Sequence, residues 1–173
     1  MEKRSPSKLM ADALAENSLH LDHQLCFRLY AASRLITRLY QPLLEPLGLT
    51  YPQYIVLMIL WEVAPCPVSN IGERARLNTN TLTPLLKRLE QQGLVERQRR
   101  KDDERVVDIH LTEAGHALRS QCARVPHELA AKAHVPPEKI EALAALLDEL
   151  LANLGALSGS SSVSRGRSYD CSK

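Results

Sequence analysis

Leucines recur at three- and four-residue steps near the middle of the chain, at Leu82, Leu85, Leu86 and Leu89. This spacing places them on one face of a helix and leaves the polar residues between them on the other. Short polar side chains from Asn78 onward are suited to a helix start, because they accept hydrogen bonds from its free amides. The pattern therefore predicts a helix over residues 78–91 with a polar outward face.

Two stretches with strand character follow this helix, at residues 94–99 and 105–111, and the charged residues 100–104 join them. A short helix over residues 69–75 and a turn at 77–78 precede it. A helix pair followed by a hairpin with a basic tip is typical of a winged helix-turn-helix. The predicted fold class is therefore mainly α with a small β-hairpin.

Helical periodicity also marks both ends of the chain. Asp22 is the expected cap of a helix reaching Leu44, and helices are predicted from Tyr51, over residues 112–133 and after Pro137. The first and last of these carry more apolar surface than a lone helix buries, so we expect a homodimer closed by helices from both chain ends. The loop at residues 64–67 contains two prolines, and Cys66 between them is expected to be exposed.

The predicted organisation has three parts. Residues 1–20 form a partly ordered lead-in, and residues 156–173, rich in Ser, Gly and Arg, form a flexible tail. Residues 21–155 form one domain, with a DNA-binding core at 64–111 and dimerisation helices at 21–45 and 112–155.

Positive charge is concentrated on the predicted helix and hairpin. Eight Lys or Arg and two acids lie between Arg74 and Lys101, a local net charge of +6 in a chain of +2. Such a concentration favours double-stranded DNA, since neutralising phosphates releases counterions. Outward residues of the helix are the candidates for base contacts: Thr79, Asn80, Thr81, Thr83 and Pro84. Cations that follow them are expected to meet phosphates: Lys87, Arg88, Arg99 and Lys101.

Composition limits the kinds of protein to which the chain can belong. The 173 residues are 45% apolar, with no apolar run long enough for a membrane span and no signal-peptide core, which predicts a cytoplasmic protein. Four cysteines without CxxC spacing are expected to be free thiols. His20 and His23 have no accompanying ligand cluster, so no metal is expected, and no cofactor or enzymatic motif is apparent.

The wing segment carries a family resemblance. Leu111-Thr112-Glu113-Ala114-Gly115 after Asp103-Glu104-Arg105 resembles the signature of MarR-type transcriptional regulators. The resemblance covers residues 21–154 and implies that Arg105 enters the minor groove, that Asp103 helps to hold it, and that the recognition helix lies in the major groove of an inverted-repeat operator. Segments 21–27, 49–54, 60–62 and 81–89 resemble the organic hydroperoxide sensors within that family.

A redox role is predicted for Cys26. Six of the seven aromatic residues fall within the 35 residues after it, which favours an apolar pocket for a hydroperoxide, with Phe27, Tyr30, Tyr40 and Tyr51 as its expected members. A helix amino end and tyrosine hydroxyls would favour the reactive thiolate. The resemblance implies that Tyr40 and Tyr51 come from the partner subunit, and that oxidation to sulfenic acid changes the spacing of the recognition helices.

How the sulfenic acid is resolved stays open. Ala131 stands where the resemblance places a resolving cysteine, and Cys122, earlier in the same predicted helix, is the candidate substitute. A small cellular thiol that caps Cys26 is the other scheme. Two further readings compete with redox sensing: a repressor released by a phenolic or carboxylate ligand, with an incidental cysteine, and a thiol peroxidase, for which no sheet-based fold is indicated.

Overall fold

The computed structural model describes residues 20–21 and 24–158. Its helices and strands are α1 Leu25–Leu44, α2 Tyr51–Val63, β1 Cys66–Pro67, α3 Val68–Ala75, α4 Thr79–Gln91, β2 Val95–Arg99, β3 Val107–Leu111, α5 Glu113–Cys122, α6 Val125–Ala133 and α7 Pro137–Ser158. They divide into two compact units, and the boundary lies inside α2, between Tyr54 and Ile55. The predicted lead-in, apart from His20, and the tail beyond Ser158 lie outside the described residues.

The first unit contains α1, a 3-10 turn at Glu45–Leu47 and the start of α2. Gly48 takes a left-handed conformation (φ 67°) after the turn, and the Leu49 amide donates to the Leu44 carbonyl at 3.1 Å. The buried Gln53 accepts from the amide and hydroxyl of Thr50 at 2.8 and 2.9 Å, which caps α2 at its predicted start. The predicted cap of α1 is wrong, because that helix begins at Leu25 after Gln24; Asp22 lies outside the described residues.

The second unit is built on a three-stranded antiparallel sheet of order β1-β3-β2. In it Val95 lies opposite Leu111 and Arg99 opposite Val107, so both predicted wing strands are confirmed. The strand β1 was not predicted. Its residue Cys66 pairs with Ile109 of β3 and is 3% exposed. The expectation that Cys66 is exposed is therefore wrong.

The predicted helix over residues 112–133 is two helices in the structure. α5 ends at Cys122 and α6 begins at Val125, with a turn at residues 123–124. Pro126 explains the break, because its missing amide cannot bond to the Cys122 carbonyl one turn earlier, whereas proline fits the first turn of a new helix.

The last helix, α7, exposes leucines along its length. Leu143 is 55% exposed and Leu146 is 65% exposed, and Leu151 and Leu154 are also exposed. Such a surface is expected where a second chain packs. Among residues 20–21 and 24–158, no single helix is long and apolar enough to cross a membrane, and one strongly bent pair, Leu25–Leu47 with Tyr51–Val63, passes on length and composition only.

Candidate nucleic-acid interface and thiol site

The helix-turn-helix is closed by local hydrogen bonds. Asn78 caps α4, since its Oδ1 accepts from the amide and the hydroxyl of Thr81 at 2.9 and 3.0 Å. Arg76 adopts a left-handed conformation (φ 54°) at the turn, and the Leu77 amide donates to the Gly72 carbonyl at 2.9 Å. A Cβ on Gly72 would lie 3.0 Å from the Leu77 carbonyl oxygen, so glycine permits this tight turn. The sequence prediction of the helix start is confirmed.

The outward face of α4 is exposed and the inward face is buried. Leu82, Leu85, Leu86 and Leu89 are at most 8% exposed. Every predicted DNA-contacting residue of the helix and wing lies at the surface: Thr79, Asn80, Thr81, Thr83, Pro84, Lys87, Arg88, Arg99, Lys101, Asp103 and Arg105. The structure therefore leaves these side chains accessible to a duplex.

The base of the wing is fixed by the segment that carries the family resemblance. The Thr112 hydroxyl donates to the Gly93 carbonyl at 2.6 Å and accepts from the Gly115 amide at 3.0 Å, which caps α5. A Cβ on Gly115 would lie 2.1 Å from the Leu94 carbonyl oxygen, and the Trp61 indole donates to the Gly115 carbonyl at 2.9 Å. Only glycine therefore lets α5 approach the hairpin so closely.

The wing tip is a hydrogen-bonded loop. Asp103 accepts from the Arg105 amide through Oδ1 at 3.1 Å, and its carbonyl accepts from the Val106 amide at 2.9 Å. The Asp103 side chain thus fixes the backbone of Arg105. A groove of about 320 Å³ lies between the wing and the helix pair, and it is lined by Ser69, Thr79, Thr83, Arg97 and Arg105, among others. Arg97 and Ser69 were not predicted; only the fold shows that they share a groove with Thr79.

One ion pair at the wing was also missed. Arg100 donates from Nε to Asp108 Oδ2 at 2.9 Å and from Nη2 to Oδ1 at 2.7 Å. The hydrogen bonds from Arg100 hold the pKa of the Asp108 carboxyl below its usual range. The sequence count treats Arg100 as a free cation, whereas the structure shows its charge paired.

Cys26 lies in the first turn of α1 and is exposed. The amino end of a helix carries a partial positive charge. Tyr30, one turn further on, is also exposed, and Phe27 is half-buried. Tyr40 lies fourteen residues beyond Cys26 on the same helix, a separation of about 21 Å at 1.5 Å per residue. The Tyr40 of one chain therefore cannot reach the Cys26 of that chain.

The predicted phenols Tyr40 and Tyr51 lie together in the first unit. Their ring centroids are 4.6 Å apart, and Tyr54 lies 5.9 Å from Tyr40. Burial raises the pKa of both Tyr40 and Tyr51, and the neighbouring charge of Tyr51 raises the pKa of Tyr40 further. Both hydroxyls therefore stay protonated at neutral pH and available as hydrogen-bond donors.

A cleft of about 570 Å³ is lined in part by Tyr51. One wall is a polar face of α1 with Arg34, Thr37 and Arg38, and Tyr51 and Pro52 belong to the other. This volume lies in the range of small-molecule sites, and paired guanidinium groups suit a carboxylate.

The other cysteines of the described residues are buried. Cys122 is 2% exposed, and burial raises the pKa of its thiol. A thiol without exposure and with a raised pKa is a poor nucleophile, so the structure gives no support to the predicted resolving role of Cys122. Within residues 20–21 and 24–158, no three His, Cys, Asp or Glu side chains converge as a metal site.

The exposed polar helix, the basic wing and the groove between them define a winged helix-turn-helix DNA-binding protein. One relative is the organic hydroperoxide resistance transcriptional regulator of Bacillus subtilis strain 168, with 44% identity over 136 residues, which are 79% of this chain and 92% of the relative. A family model described as transcriptional regulator SarA/Rot matches residues 38–121. The chain belongs to the MarR-type family of transcriptional regulators, in the group of organic hydroperoxide resistance regulators.

Solved structures agree with this assignment. A structure of reduced AbfR bound to DNA matches at a TM-score of 0.67 and 36% identity, over 81% of this chain and 98% of the other; AbfR is a protein of Staphylococcus epidermidis. Overoxidised AbfR bound to DNA matches at 0.66, and disulfide-formed AbfR at 0.54, each at 36% identity and the same coverage. MarR of E. coli without ligand matches at 0.59 and 26% identity, over 74% and 97%.

Proposed function

We propose that the chain is a homodimeric repressor that binds an inverted-repeat operator and releases it when an organic hydroperoxide oxidises Cys26. The observation that carries this proposal is the placement of the exposed Cys26 at one end of α1, about 21 Å along that helix from Tyr40. Tyr51 lies beside Tyr40, with ring centroids 4.6 Å apart. A second chain that runs antiparallel along α1 brings the thiol of one subunit to the phenols of the other.

The chemistry needs the thiolate, the hydroperoxide and a proton from solvent. The Cys26 sulfur attacks the terminal oxygen of the hydroperoxide, the O–O bond breaks, and the alkoxide leaves and takes a proton to become an alcohol. Cys26 is then a sulfenic acid. The hydroxyls of Tyr40 and Tyr51 of the second chain are protonated and stabilise the starting thiolate by donating hydrogen bonds to it.

Release requires a further step after the sulfenic acid. Overoxidised AbfR is bound to DNA, and the present fold matches that form and the reduced form better than the disulfide form. We infer that added charge at Cys26 is insufficient, and that a second thiol must condense with the sulfenic acid, forming a disulfide and releasing water. Burial of Cys122 favours a small cellular thiol as that partner.

A gel shift on the promoter DNA upstream of the protein's own gene tests this proposal. Wild-type protein is expected to bind and to be released by an alkyl hydroperoxide in the presence of a small thiol, and Cys26→Ser is expected to bind and resist release. Cys122→Ser is expected to respond like the wild type. Release of Cys26→Ser by the hydroperoxide would contradict the proposal, and steady turnover of hydroperoxide with a thiol reductant would indicate a peroxidase instead.

The cleft beside Tyr51 supports a second candidate function, release by a small phenolic or carboxylate ligand. Arg34 and Arg38 lie one turn apart on the wall of this cleft and offer two guanidinium groups to an anion. On this alternative an aromatic carboxylate such as salicylate releases Cys26→Ser from DNA, and Arg34→Gln with Arg38→Gln abolishes that release. No effect of the carboxylate on Cys26→Ser would leave redox sensing as the function.

A further inference from the structure

The Arg100–Asp108 pair closes the base of the wing tip. Arg100 Nε donates to one carboxylate oxygen of Asp108 at 2.9 Å, and Nη2 donates to the other at 2.7 Å. The Asp108 side chain is only 15% exposed. The Arg100 amide also donates to the Val106 carbonyl at 3.0 Å. A two-point contact of this kind fixes the direction of the arginine as well as neutralising it.

The loop closed by this pair holds Arg105. Asp103 bonds the amides of Arg105 and Val106 at 3.1 and 2.9 Å, and Arg100 bonds Val106 from the other side of the loop. A loop already held in its binding conformation loses less conformational freedom when it meets a ligand. The rigidity of the tip therefore bears on how well Arg105 inserts into a groove.

The charges of the pair present an apparent conflict. Asp108 places a carboxylate on the wing, and an acid near a duplex ordinarily weakens binding by repelling phosphates. Arg100, paired with Asp108, is not free to neutralise a phosphate. A purely electrostatic role thus predicts that removing Asp108 tightens DNA binding.

We propose that Arg100 and Asp108 are positioning residues for DNA recognition, which set the wing tip so that Arg105 enters the minor groove, and that their pairing strengthens binding despite the acid. This inference rests on the proposed DNA-binding function. It assigns to Arg100 a role different from that of the exposed cations Arg99 and Lys101, which are expected to meet phosphates directly.

The sign of the Asp108→Asn effect is the first test. On a promoter duplex, Asp108→Asn is expected to weaken binding about fivefold, the upper range for a partly exposed ion pair, although the variant is more positive than the wild type. Equal or tighter binding would overturn the inference. Wild-type protein that fails to bind the duplex at all would overturn the proposed function instead, so the two failures are distinguishable.

The salt dependence separates positioning from phosphate contact. Arg100→Gln is expected to weaken binding by a similar factor at every salt concentration, with an unchanged slope of log affinity against log salt. The matched control Lys101→Gln is expected to lower that slope by roughly one. Arg100→Lys keeps the charge and loses the fork, so it is expected to bind as weakly as Arg100→Gln; wild-type affinity of Arg100→Lys would assign a phosphate contact.

A double-mutant cycle links the pair to Arg105. In an Arg105→Gln background, Asp108→Asn is expected to change affinity by less than twofold, because there is no longer a side chain to position. A fivefold loss in that background as well would overturn the inference. Circular dichroism melting of each variant establishes that the wing is folded, and the swapped variant with Arg100→Asp and Asp108→Arg is expected to recover part of the lost affinity.

Discussion

The DNA-reading region and the end helices differ in how far one chain completes them. All four leucines of α4 are buried, and the turn, wing base and wing tip are each closed by hydrogen bonds within the chain. In α1 and α7, by contrast, Leu25, Leu143 and Leu146 are more than half exposed. The reader, formed by α3, α4, the β2–β3 hairpin and the start of α5, is closed within a single chain, whereas α1 and α7 leave large apolar side chains exposed.

This difference indicates where a signal can act. A module closed by its own core resists local change, because packed interiors have few alternative arrangements. Helices whose apolar faces are covered by another chain can shift at smaller cost, since interfaces are the usual site of switching motions. On the proposed function, oxidation at Cys26 therefore changes the spacing of two intact readers and leaves each reader folded.

The largest expected effect concerns the exposed leucines of α7. Burial of one leucine is worth about 1.5–3 kcal/mol, so Leu143→Glu with Leu146→Glu is expected to weaken dimerisation more than about a hundredfold and to abolish operator binding. Sedimentation equilibrium and a gel shift measure the two effects. Glu141→Gln, an exposed change on the same helix, is the control. A double variant as dimeric as the wild type would show that α7 does not join the chains.

The second prediction tests how closely α5 packs against the hairpin at Gly115. A Cβ at position 115 meets the Leu94 carbonyl oxygen at 2.1 Å, so Gly115→Ala is expected to lower the free energy of unfolding by roughly 3 kcal/mol. The matched control is Gly155→Ala in α7, where a Cβ meets nothing within 4 Å and the change is expected to add about 0.5–1 kcal/mol. Chemical denaturation measures both; equal effects at the two glycines would remove the contrast.

Periodicity and turn chemistry were enough to predict the reader. The leucine spacing of α4 and its polar start at Asn78 are local features, and both are confirmed. The strand β1 was missed because its pairing depends on Ile109, more than forty residues away, and because prolines flank Cys66. The break before α6 was also missed, although Pro126 is a local signal for it.

The candidate site was predictable residue by residue, but its pairings were not. Arg100 and Asp108 form a diagonal pair on one face of the hairpin, since Asp108 lies opposite Gln98, and this requires the exact strand register. Exposure of the predicted DNA contacts on α4 followed from helix periodicity alone. The groove containing Arg97 required the fold, because packing of α3 and α4 against the hairpin determines it.

The third prediction compares the exposed thiol at the start of α1 with the buried thiol at the end of α5. In a Cys171→Ser background, Cys26 is expected to be alkylated in the native state at least about tenfold faster than Cys122, a difference of about 1.4 kcal/mol in barrier. Because burial raises the pKa of Cys122, its rate should rise with pH only at a higher pH than that of an ordinary thiol. Mass spectrometry of time points gives both rates, and denaturant should make them alike. Equal native rates would contradict the burial of Cys122.

The smallest expected effect separates folding from recognition within the reader. Asn78→Ala removes the acceptor of the Thr81 amide and is expected to cost about 1 kcal/mol in unfolding free energy, and Asn78→Asp should restore most of it. The control Asn80→Ala changes an exposed residue of the outward face, so it is expected to leave the melting temperature unchanged and to weaken operator binding. Thermal melts and gel shifts on the three variants give both quantities. If Asn80→Ala lost stability and kept affinity, the outward face of α4 would be part of the scaffold, and base contacts would have to come from the wing.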